Sequence, residues 1–145
     1  MRRRTIDGWL IGAVLGHLLI TFVHGAAHSG AHVGLGPVAG AFVLLVIELA
    51  PLVGLALALA GKPSGGWIVA ASMAASLVFG LVNHFVIISA DHVSQVAAEW
   101  RSLFGVSAAL LVISEAFGVV AGLRNVRLRA TSAAALRRDK SALAP

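Results

Sequence analysis

The stretch LGPVAGAFVLLVIELAPLVGLALALA, residues 35–60, carries a single ionisable side chain, Glu48. At 1.5 Å per residue a helix of this length exceeds the ~30 Å hydrocarbon core of a bilayer. The run shows no alternation of polar and apolar positions and is far too long for a barrel strand, so it reads as a membrane-spanning helix. Three further runs have the same character: about 9–28, about 67–90 and about 102–123. The first is the shortest and carries His17. Gly34, Gly36 and Pro37 open the second helix, and Gly61-Lys62-Pro63-Ser64-Gly65-Gly66 is a tight turn before the third. Asp91 to Arg101 is polar enough for an interfacial loop with room for one short helix. The expected fold is all-α, an integral membrane four-helix up-down bundle over 1–123, followed by a basic tail over 124–145.

Composition agrees. Of 145 residues, 59% are apolar and 12% charged, against roughly 45–50% and about 25% in soluble domains. Such a chain cannot coat a soluble core with polar surface. The pI near 11.5 would otherwise suggest nucleic acid, but the basic residues flank apolar runs and form no folded basic face, so no nucleic-acid partner is expected. Arg2, Arg3, Arg4, Lys62, Arg124, Arg127, Arg129, Arg137, Arg138 and Lys140 fall on one side of the expected topology, and only Arg101 falls on the other. The positive-inside rule then puts both termini in the cytoplasm, in a multi-pass protein of the cytoplasmic membrane. Trp9, Trp67 and Trp100 stand at helix starts, where an indole favours the headgroup zone. Three arginines, an apolar run and Gly25-Ala26-Ala27 also resemble a secretory signal peptide. Cleavage there would leave three helices and strand one basic flank outside, so a retained first helix is the better reading.

Lipid provides no hydrophobic drive for helices to associate, so close packing must. Gly8-Gly12-Gly16, Ser72-Ser76-Gly80 and Gly118-Gly122 form small-xxx-small ladders. Each is a seam for a neighbouring helix or for another subunit, in a homo-oligomer or a larger membrane complex.

The ionisable residues inside these runs need an explanation, because burying one in a bilayer costs about 2.5–3.5 kcal/mol on insertion scales. His17, His24 and His28 fall within a sector of about 40° on the first helix, and the i,i+4 pair His24/His28 can reach one metal ion. The second helix offers Glu48, the third Asn83 and His84, and the fourth Glu115. Asp91, seven residues after His84, is expected on the same face of the third helix, with His92 pointing elsewhere. Facing helices of a bundle that supply His and Glu inward are a common way to build a metal site. The expected ligands are His24, His28, His84, Glu48 and Glu115, with His17, Asn83, Asp91 and His92 as a further layer. With no Cys in the chain, the donor set suits iron, zinc, copper or manganese.

Competing readings attach to the same residues. His17 can be a seam residue bonded to a Ser or to a backbone carbonyl. Glu48, three residues before Pro51, can be a neutral carboxyl bonded to a neighbour, and Glu115 can share a proton with His17. His32 is expected in a loop, and Glu99 with Arg101 as a solvated pair. At the level of function, the leading expectation is a membrane metal protein, with catalysis an open option. The alternatives are a b-type haem protein with His24 and His84 as axial ligands, a proton or metal-ion transporter, and a structural subunit of a membrane complex. No Walker loop, dinucleotide fingerprint, nucleophile elbow or HExxH motif is present.

Overall fold

The computed structural model describes residues 8–142, with side chains through 135. Arg2, Arg3 and Arg4, and the side chains of Arg137, Arg138 and Lys140, lie outside that description. The described residues are all-helical, with four helices long and apolar enough to cross a membrane: α1, Gly8–Gly30; α2, Pro37–Leu59; α3, Ser64–Val86; and α4, Ala98–Ala142. Apolar side chains face outward, as on Phe22, Val38 and Ile88. Polar side chains lie within, as at His17, His24, Ser76, His84 and Glu115. An apolar exterior around buried ionisable groups suggests a membrane protein.

The helices depart from the expected 9–28, 35–60, 67–90 and 102–123, the fourth most of all, and several departures have local causes. Pro37 and Pro63 sit at the starts of α2 and α3, where a missing N–H costs nothing. Gly61, at φ 86°, makes the turn between α2 and α3. The third helix, expected to continue to residue 90, stops at Val86 because its last turn, Val82–Val86, is π-helical and Ile87 is extended. Helix α4 starts before the expected position and runs unbroken through 124–142.

A second π-helical stretch, Val43–Leu49, lies inside α2, just before Pro51. Pro51 has no N–H to offer the carbonyl of Ile47. His17 Nε2 lies 3.2 Å from that carbonyl oxygen and donates to it. The imidazole thereby satisfies a buried acceptor that the proline leaves short, and ties α1 to α2 at mid-length.

Helix α4 packs along both α1 and α3, and α3 packs along α2. At some seams glycine is obligatory. A Cβ at Gly65 would sit 2.3 Å from the Ala58 nitrogen, and one at Gly122 would sit 2.7 Å from the Gly66 carbonyl. The expected Gly118-Gly122 seam is therefore used. The Gly8-Gly12-Gly16 ladder is not used among the described residues, since a Cβ at any of the three meets none of them within 4 Å. One half of the interior is a dry apolar core of Leu10, Val14, Leu55, Val69, Met73 and Ala121. At this end Arg124 stacks over Trp9, and Arg129 bonds to the carbonyl of Ala58. The polar site occupies the other half.

Candidate metal centre

Helix α1 presents His24 one turn before His28, and the π turn closing α3 presents His84. One ring nitrogen from each of the three lies within 4.8 Å of the others, an arrangement able to hold a metal ion. His24 and His84 are buried and His28 is half-buried. Phe104 of α4, fully buried, backs all three rings, with centroid distances of 4.7, 4.8 and 5.3 Å to His24, His28 and His84.

The hydrogen bonds assign the tautomers. His28 Nδ1 lies 3.1 Å from the Val33 carbonyl. His84 Nδ1 lies 3.1 Å from the Asp91 carbonyl. A carbonyl only accepts, so both Nδ1 atoms carry the proton. His24 Nδ1 lies 2.9 Å from Ser107 Oγ, whose own hydrogen goes to the Leu103 carbonyl at 2.7 Å. That Nδ1 is therefore also the donor. In the neutral rings every Nε2 is left with a lone pair. Two of them, on His24 and His84, face each other at 3.2 Å. Two lone pairs at that distance repel unless a proton or a cation sits between them. Donation of the far ring nitrogen to a fixed acceptor is the usual way a metal-binding imidazole is oriented.

The loop after α3 folds back so that Asp91 closes the site. Its Oδ1 is buried, 3.3 Å from both His28 Nε2 and His84 Nδ1, and aligned for a hydrogen bond with neither. Burial works to raise the Asp91 carboxyl, but the adjoining His84 imidazole, then His28 and His24, outweigh it when protonated and hold the carboxyl below its usual value. Asp91 is thus near His84 as expected, but through a reversing loop and not through a shared helix face.

These groups open onto a cavity of about 510 Å³. Glu48 from the π stretch of α2 and Glu115 from α4 line the same cavity, as does His32, which sits in the left-handed backbone region at φ 55°. Glu115 is buried and accepts a hydrogen bond from Ser76 through Oε1, while its Oε2 has no hydrogen-bond partner among the described residues. Gly80 leaves room here, since a Cβ there would lie 3.9 Å from both Glu115 Oε2 and His84 Cδ2. All five residues expected as ligands therefore border one cavity, with the three histidines clustered and the two glutamates further along its wall.

The further layer divides. Asp91 is at the centre. His17 does not line the cavity; besides Ile47 it approaches Ser114 Oγ at 3.4 Å, so it shares no proton with Glu115 in this arrangement. Asn83 bonds back to the Phe79 carbonyl within its own helix. His92 pairs with Ser94 in the loop. Sequence reasoning missed Phe104 and Ser107. The available signal for Phe104 was its position eleven residues before Glu115, within about 20° on the same helix face.

Fold and site together define a four-helix chain of membrane-spanning character with an internal histidine cluster able to hold a metal. Comparison with family models, curated proteins and solved structures finds no match to this chain.

Proposed function

We propose that this protein is a multi-pass protein of the cytoplasmic membrane that binds a transition metal through the Nε2 atoms of His24, His28 and His84, with the Asp91 carboxylate beside them orienting the histidines. One observation carries the reading: a ring nitrogen from each of the three histidines lies within 4.8 Å of the others, while each Nδ1 is committed to a fixed acceptor. The 3.2 Å between the Nε2 atoms of His24 and His84 is close to the edge of a tetrahedron with ligands at about 2.0–2.1 Å. Nitrogen and carboxylate donors without thiolate suit zinc, iron, copper or manganese. Three histidines with an adjoining cavity leave a coordination position for substrate, which is the layout of a catalytic centre rather than a closed structural one.

The haem alternative is less favoured. Two axial nitrogens on one iron stand about 4 Å apart across the macrocycle, whereas here three imidazoles crowd edge to face around one phenyl ring. Conduction across the bilayer is less favoured because the apolar core around Val14, Val69 and Met73 offers no polar path beyond the site.

The basic residues orient this reading. Trp9, Arg124, Arg129 and the end of α2 share one end of the bundle, and by the positive-inside rule that end is cytoplasmic. The bundle is then up-down with both termini inside, and the centre lies near the extracytoplasmic face.

The test is elemental analysis with an optical spectrum on the full chain purified in detergent. We expect about one metal per chain, lost in His24→Ala/His28→Ala. Metal-free, colourless protein, with unaltered stability in the double variant, would overturn the reading.

A further inference from the structure

The cavity is far larger than one ion needs. A metal-bound water takes up about 30 Å³, and the cavity holds about 510 Å³, inside the ~300–1,000 Å³ range of small-molecule sites. Leu35, Val43, Ile47, Phe79 and Leu111 give its walls apolar stretches between the polar side chains, which include Glu48 and Glu115. Its flank is a gap between two helices. Helix α1 packs against α2 along Ala50–Leu59, but the π-helical half of α2 packs on α3 instead, and the His17–Ile47 bond forms the floor of the gap. On α1 the rim is Gly25 and Ser29, both exposed, and a Cβ at Gly25 would meet nothing within 4 Å. At the inner end, Glu115 is 2% exposed and keeps one carboxylate oxygen, Oε2, without a hydrogen-bond partner among the described residues, the other accepting from Ser76, which leaves room for a polar group from outside the chain.

We infer that the centre acts on a lipid-phase amphiphile, a molecule with an extended apolar body and an oxygen-bearing head, which enters sideways between α1 and the first half of α2. The inference rests on the metal reading and adds the class of substrate. The body lies against the apolar walls, and the head reaches the open coordination position and the Glu115 carboxylate. Such a ligand gains little from moving out of lipid into an apolar pocket, since both are equally dry. Selectivity must therefore come from the shape of the gap and from the polar head contacts. Gly25 keeps the gap open: a side chain there would project into it without clashing with the fold.

Hydroxamates probe this directly, because they coordinate metals through oxygen and are available with short or long chains. The full chain is placed in nanodiscs, loaded with cobalt(II) as an optical reporter, and titrated with acetohydroxamic and decanohydroxamic acids. A longer chain also enriches in the bilayer, so the decisive comparison is between variants. Gly25→Leu should weaken decanohydroxamate about tenfold, or ~1.4 kcal/mol, while acetohydroxamate changes by less than about twofold. Gly16→Leu, on the same helix, away from the cavity and equally unobstructed, should change neither. Equal effects on both probes, or none, in protein that binds cobalt would overturn the lateral substrate and leave the centre standing. Protein that binds no cobalt would overturn the centre itself.

Discussion

Asp91 is the residue whose chemistry most depends on its neighbours. Its carboxyl is held below the ordinary range by the imidazoles beside it. A depressed carboxyl stabilises the fold above its unfolded pKa, about 3.9, and this contribution disappears as pH falls through the lowered folded value. In metal-free protein we expect the thermal midpoint of the parent chain to fall on acidification below about pH 4, and that of Asp91→Asn to fall less. The same variant should weaken metal binding by about 10–100-fold, the usual effect of losing a group that orients a ligand, read by competition with a chelator. His17 is the contrasting case. Its imidazole serves the Ile47 carbonyl and does not line the cavity. His17→Ala should cost about 1–3 kcal/mol in unfolding, from the orphaned carbonyl, with metal content unchanged. Loss of metal in that variant would place His17 at the centre after all. Both roles were open in the sequence, where His17 shares a face with His24 and His28, because periodicity fixes direction and says nothing about which acceptor waits opposite.

At the scale of elements, the two π-helical stretches and the glycine seams decide how the site is presented. Both π stretches border the cavity, one carrying His84 and the other Glu48. Widened turns of this kind concentrate at functional sites. Neither was read in the sequence, although Pro51, just after the first, removes one helical N–H. The seams make a sharper contrast. Gly122→Val meets the Gly66 carbonyl and the Ala70 backbone, and should destabilise by at least about 1–3 kcal/mol through overpacking. Gly12→Val meets nothing, and should fall within about ±0.5 kcal/mol. Reversible unfolding in mixed micelles measures both. The ladders looked alike as sequence, since spacing shows that a backbone is approachable and not whether another approaches it.

For the molecule as a whole, the proposed orientation has a simple check because the chain contains no Cys. Ser94 lies in the loop beside the centre, and Ser64 at the opposite end, where α3 begins. Both are exposed. With a membrane-impermeant thiol reagent, Ser94→Cys should be labelled in intact cells and Ser64→Cys only after the membrane is opened. The reverse pattern would invert the topology and move the centre to the cytoplasmic side.

The sequence by itself determined that four apolar helices form and which imidazoles and carboxylates have no business facing lipid. Length against bilayer thickness and the cost of burying charge are local quantities, readable one segment at a time. The tertiary structure alone decided that the reversing loop carries Asp91 back to His84, that Phe104 and Ser107 seat the imidazoles, and that a gap remains between α1 and α2. Those depend on how helices rotate and cross, which is set by contacts between residues distant in the chain and leaves no periodic trace along it.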